Sequence, residues 1–123
     1  MMDNPLSRLI FINGAPGVGK STVGKLLFSR LNKSAFLDGD DVWKINPFEV
    51  TDATREIVEQ NITYVLSNYI RANYEYVILT WVLHRQSIID NLLKGLEGLS
   101  FDLHIFTLVC DENTLLESCN RMG

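Results

Sequence analysis

The sequence predicts an α/β protein, a three-layer αβα sandwich built around a parallel sheet. Three observations predict it. Short apolar runs without a polar break recur along the chain, beginning with Leu9-Ile10-Phe11-Ile12, as expected of strands covered on both faces. Between these runs lie stretches with apolar residues at helical spacing. The two patterns alternate throughout, and strands that alternate with helices form a parallel sheet with helices on both sides.

The first strand is expected from Arg8 to Asn13. A helix follows from Lys20 to Asn32, with Val23, Leu26, Leu27 and Leu31 on one face and Lys25, Ser29, Arg30 and Lys33 between them. The second strand, Ala35 to Asp38, is short and ends in an acidic turn. The stretch from Asp41 to Val50 holds Pro47 and two aromatics, and reads as loop or short helix. A long helix is expected from Asp52 to Asn73, with Thr51 as its cap. Its face would run from Ile57, Asn61, Tyr64 and Val65 through Asn68 and Tyr69. The third strand is Tyr76 to Val82. A helix from Arg85 to Leu96 stops at Gly95 or Gly98. The fourth strand is Leu103 to Val109, and a last helix starts near Glu112. Ligands of such sheets lie beyond the carboxyl ends of the strands. The loops to search are therefore 13–21, 38–44, 80–87 and 110–113.

Bulk properties narrow the class. A chain of 123 residues is enough for one domain, taken as 1–123, and too short for two. Its 46% hydrophobic and 21% charged content is that of a soluble globular protein. A net charge of −4 without a long basic stripe argues against a general nucleic-acid binder. Met1-Met2-Asp3-Asn4-Pro5 lacks the basic start and apolar core of a signal peptide. No apolar run approaches the ~20 residues needed to span a bilayer. The expectation is a cytoplasmic protein with no membrane partner. Cys110 and Cys119 make no disulfide framework and are expected to be reduced, Cys110 as a small buried hydrophobe. Two cysteines and two distant histidines are too few for a protein-built metal site.

One motif states its own mechanism. Gly14-Ala15-Pro16-Gly17-Val18-Gly19-Lys20-Ser21 fits the phosphate-binding loop pattern G-x-x-x-x-G-K-[ST] at every fixed position. Glycines let consecutive N–H groups point at one anion, and the following helix adds the positive end of its dipole. Lys20 is expected to reach the β- and γ-phosphates of a nucleotide, Ser21 to sit on Mg²⁺, and Thr22 to approach the α-phosphate. A second cluster, Leu37-Asp38-Gly39-Asp40-Asp41, lies on the same sheet edge. On an extended backbone Asp38 and Asp40 would point to one side. A carboxylate beside a phosphate loop can hold Mg²⁺ through water or take the proton of an attacking hydroxyl; otherwise the acids cap a turn. Asp40 is the first choice for the chemistry, Asp38 the second and Asp41 the third.

The phosphate loop with Thr22, followed by Phe36-Leu37-Asp38-Gly39-Asp40-Asp41, resembles the small P-loop kinases. These include shikimate, gluconate and adenylylsulfate kinases and the antibiotic phosphotransferases allied to them. The resemblance implies a P-loop nucleoside triphosphate hydrolase fold, a sheet ordered 2-3-1-4-5, and transfer of the γ-phosphate of ATP to a small-molecule acceptor. It makes Lys20 and Asp40 the catalytic pair, because an aspartate after the second strand contacts the acceptor or serves as base in several of these enzymes. Asp38 and Arg85 join Asp40 at the acceptor. The helix after the fourth strand runs into a lid in these kinases, and Arg121 stands where its first arginine would be. The lid, the fifth strand and the adenine loop would lie past Gly123. The expectation is thus a fragment of a longer kinase, or else a minimal protein that completes its sheet by forming a homodimer, since a four-stranded sheet leaves the fourth strand as an open edge.

Other readings stay open. Asp111-Glu112 after Phe106-Thr107-Leu108-Val109 either caps the last helix or resembles the acidic pair of AAA-type ATPases, with Asp assisting Mg²⁺ and Glu activating water. A nucleotide-binding module without transferase activity is the third possibility. Thr80 either touches metal-bound water or only ends a strand. Trp43 and Trp81 line an acceptor pocket or pack in the core. Arg85 holds an anion or caps a helix. His84 reads as packed or solvated, and Arg55 and Arg71 as a solvated face.

Overall fold

The computed structural model describes residues 6–109 apart from Pro16. Four strands and three helices follow in the order β1 (Ser7–Gly14), α1 (Lys20–Arg30), β2 (Ser34–Asp38), α2 (Asp52–Arg71), β3 (Tyr76–Thr80), α3 (Gln86–Gly95) and β4 (Phe101–Leu108), with a 3₁₀ turn at Gly39–Val42. The expected elements form, with ends moved by at most two residues. The last helix, with Cys110, Asp111, Glu112, Cys119 and Arg121, lies outside the described residues.

All strand pairs are parallel, in the order β2-β3-β1-β4. Side chains alternate across β1, and each parity meets a different layer. Ile10 and Ile12, with Ile78 of β3, face α1 through Val23, Leu27 and Leu31. Leu9 and Phe11, with Val77 and Leu79, face α2 and α3 through Val58, Ile62, Leu66, Ile89 and Leu92. The sheet is therefore sandwiched as the alternating pattern predicts.

The inward face of α2 is shifted from the expected one, of which Val65 and Tyr69 still pack on the core. Val58, Ile62, Leu66 and Ile70 are buried, whereas Ile57 and Tyr64 stand 51% and 69% exposed. The chosen face carried two asparagines, and the stripe one position on is wholly aliphatic at i+4 spacing, so burial favours it. On α1, Leu26 is likewise exposed and Gly24 takes its place against the sheet. Thr51 does cap α2: its hydroxyl accepts from the Thr54 N–H at 3.2 Å, and the Thr54 hydroxyl accepts in return from the Thr51 N–H at 2.8 Å. Among the described residues β4 is an edge strand, with Ile105 and Phe106 exposed.

The chain leaves β1 toward β2 through α1 and leaves β3 toward β4 through α3, passing over opposite faces of the sheet. The carboxyl ends of β1 and β3 thus flank the crevice where ligands of open parallel sheets bind.

Candidate active site

The loop after β1 curls back on itself. Gly17 and Gly19 take φ of 80° and 101°, a region that side chains with a Cβ rarely enter. The Ala15 carbonyl accepts from the Val18 N–H at 3.3 Å and from Lys20 Nζ at 3.1 Å. Helix α1 begins at Lys20 with no side-chain cap and no acid in its first turn, in contrast to the doubly capped α2. An uncapped start leaves its N–H groups for an outside acceptor, and its dipole favours an anion. Partial burial pushes the Lys20 ammonium below its usual 10.5, while Asp40 and then Asp38 pull it back up. A partly dehydrated cation set among free amides is suited to a polyanion.

The acidic turn meets this loop. It does not stay extended as the alternation argument assumed, because Gly39–Val42 wind into a 3₁₀ turn. Asp38 caps the turn and also reaches the phosphate loop. Its Oδ1 accepts from the Asp40 N–H at 3.0 Å as a cap, and its Oδ2 accepts from Ser21 Oγ at 2.6 Å. Thr80 stands opposite Asp38 in the β2–β3 register, and its Oγ1 is buried without a partner. A hydroxyl, a carboxylate and an unpartnered hydroxyl are hard oxygen donors of the kind Mg²⁺ accepts. No cluster of three or more His, Cys, Asp or Glu exists among the described residues. Mg²⁺ is usually held by one or two protein oxygens plus phosphate and water.

Asp40 opens on the other side into a cavity of about 940 Å³. The cavity lies between the 3₁₀ turn, the loop 43–50, the first half of α2 and the stretch after β3. Trp43, Phe48 and Trp81 form its aromatic wall; ring centroids lie 5.5 Å apart for Trp43 and Phe48 and 6.2 Å for Trp43 and Trp81. Gly39 is what lets Trp81 close onto the turn, since a Cβ there would stand 2.5 Å from the indole. Arg85 and His84 line the same cavity. So does Arg55, which stays exposed as expected of a solvated face. Arg71 is exposed as expected.

Sequence reasoning missed Phe48, Glu56, Glu59 and Asn91 as cavity residues. Asp52, Arg55, Glu56 and Glu59 do recur at helical spacing, but a charged stripe that stays largely exposed carries no sign of the cavity it borders. Burial pushes the Glu59 carboxyl above its usual 4.5; the Asn91 amide, which donates to Oε1 at 3.4 Å, and Arg55 oppose this, and Glu56 adds to it. Asn13, at the end of β1, was also missed. Its Oδ1 accepts from the Leu83 N–H at 2.7 Å, and its Nδ2 donates to Thr107 Oγ1 at 3.4 Å. It ties the stretch that carries His84 and Arg85 to two strands.

Comparison with known proteins agrees with this architecture. A protein-family model described as an AAA domain matches residues 10–121. Among solved structures, the chain is similar to a component of the Pnkp1/Rnl/Hen1 RNA repair complex (TM-score 0.75, 14% identity, covering 94% of this chain and 37% of that one). It is similar to the tunicamycin resistance protein of Deinococcus radiodurans (TM-score 0.69, 26% identity, 95% of this chain and 70% of that one). It is similar also to a gluconokinase from Sinorhizobium meliloti (TM-score 0.68, 23% identity, 98% and 66%). The chain spans well under half the length of the repair-complex chains it matches, 37% and 39%. No curated protein sequence matches it. The fold is the parallel-sheet, P-loop kinase-like α/β fold, and the resemblance to small P-loop kinases holds.

Proposed function

We propose a function for a chain that belongs to the AAA domain family: it moves the γ-phosphate of ATP to a hydroxyl of a small-molecule acceptor, with Mg²⁺ as the metal. One observation carries the reading. Asp40 borders the cavity and is also close enough to Lys20 to raise its pKa. A single carboxylate thus joins a phosphate-binding loop to a pocket large enough for a second substrate.

The residues divide the work. The amides of Gly17, Val18, Gly19, Lys20 and Ser21 hold the phosphates, with Gly14, Ala15 and Pro16 shaping the loop and Thr22 beside the α-phosphate. Lys20 neutralises charge that grows on the transferring group. Bound Mg²⁺, held by Ser21 with Asp38 behind it, would neutralise the β- and γ-oxygens. Asp40 orients the acceptor hydroxyl and takes its proton as oxygen attacks the γ-phosphorus and ADP departs. Arg85 completes the acceptor side, while Asp38, expected there too, stays with Ser21 and does not line the cavity. Kinases among the similar structures, gluconokinase for one, support this reading.

Incubation with Mg-ATP and a panel of sugars, nucleosides, hydroxy acids and aminoglycosides tests it. Lys20→Ala is expected to abolish transfer, and an active Lys20→Ala protein would refute the assignment. Asp40→Asn is expected to lower kcat by roughly 10²- to 10⁴-fold with little change in ATP affinity; equal losses in both would remove Asp40 from the role of base. Tight ATP binding with no transfer to any acceptor would favour a nucleotide-binding module. Phosphate release without acceptor, lost in Glu112→Gln, would favour an ATPase, whose Asp111 and Glu112 lie outside the described residues.

A further inference from the structure

We propose that the cavity beside Asp40 takes an unphosphorylated nucleoside, its base laid against Trp43 and Phe48 and its sugar hydroxyl turned toward Asp40. The fate of that hydroxyl rests on the phosphotransfer reading above; the binding does not.

Size admits a nucleoside. At about 940 Å³ the cavity is at the upper end of small-molecule sites, with room for a base and its sugar together. The wall also asks for a flat apolar group. Phe48 is 62% exposed and Val50 52% exposed, both at the cavity. From Phe48 the aromatic surface continues through Trp43 to Trp81, which lies against Gly39 in the acidic turn. A planar heterocycle stacks on such a surface whatever its substituents, and covering Phe48 removes apolar area from water.

Polar groups supply what a base and a sugar need. Glu59 and Asn91 stand side by side, a carboxylate acceptor and an amide donor, matching the mixed edge of a heterocycle. Charge selects against a phosphorylated or acidic compound: Asp40, Asp52, Glu56 and Glu59 outnumber Arg55 and Arg85 around the cavity.

The chain has two tryptophans, and both line this cavity, so intrinsic fluorescence reads it directly. The full chain is titrated with cytidine, uridine and thymidine while Mg-ADP at saturation fills the phosphate loop. Gluconate and shikimate serve as compact acidic probes. Saturable quenching by at least one nucleoside and none by the acids is the expected result, with Phe48→Ala raising the nucleoside Kd about tenfold. Phe48 is exposed, so this variant is expected to fold. Quenching by the acids alone, no response to any nucleoside, or a nucleoside Kd unchanged in Phe48→Ala would overturn the proposal. Calorimetry with Mg-ADP separates the two readings. A chain that binds Mg-ADP but no nucleoside loses the acceptor class alone. A chain that binds nucleosides but no Mg-ADP keeps this proposal and loses the phosphotransfer reading.

Discussion

Glu59 shows how a residue can be overlooked when only its neighbours in sequence are known. It lies in a charged stripe, yet burial lifts its carboxyl above 4.5. Between 4.5 and that raised value the folded chain keeps a proton that the unfolded chain has lost. Stability from this group is therefore full below 4.5 and declines as pH rises through the folded value. Glu59→Gln is expected to raise Tm at pH 7 and to leave it unchanged near pH 4. Equal shifts at both values, or a lower Tm at pH 7, would show that the ionised carboxylate costs the fold nothing. The phosphate loop had no such difficulty, because its chemistry sits in eight contiguous residues, Gly14 to Ser21. Phe48, Arg55 and Asn91 come from a loop and two helices, and no spacing rule links them.

Among the elements, α1 depends most on one position. A Cβ on Gly24 would stand 2.5 Å from Phe36 of β2 and 2.7 Å from Thr80 of β3. Alanine gains up to about 1 kcal/mol over glycine inside a helix, while forcing a methyl into packed surroundings costs about 1–3 kcal/mol. With contacts to two strands at once the helix must lift, so the cost wins. Gly24→Ala is expected to lose about 1–2 kcal/mol in urea unfolding and to weaken Mg-ADP binding, since α1 carries Lys20 and Ser21. A variant as stable as the parent would show that α1 has room to spare. Helix and strand types were legible from periodicity alone. The face of α1 was legible except at Leu26, while on α2 only Val65 and Tyr69 of the expected face pack inward, because packing against the sheet sets the rotation of a helix about its axis.

For the molecule as a whole, the sheet order came from the resemblance to small P-loop kinases rather than from any residue pattern, since hydrophobic runs say nothing about which strand lies beside which. The crevice at β1 and β3 follows from that order. Ligand there stabilises the native chain by mass action, so Mg-ATP at a hundred times its Kd is expected to add about 2.7 kcal/mol. Thermal unfolding reads this as a rise in Tm that Lys20→Ala removes, and an equal rise in Lys20→Ala would place the nucleotide elsewhere. One amide gives the two halves of the crevice a common frame. Asn13, on the strand that delivers the phosphate loop, grips the backbone of Leu83, two residues from Arg85 in the cavity wall. Phosphate loop and cavity wall are thus carried by a shared chassis, and any tilt of β1 that swings one bank of the crevice swings the other with it.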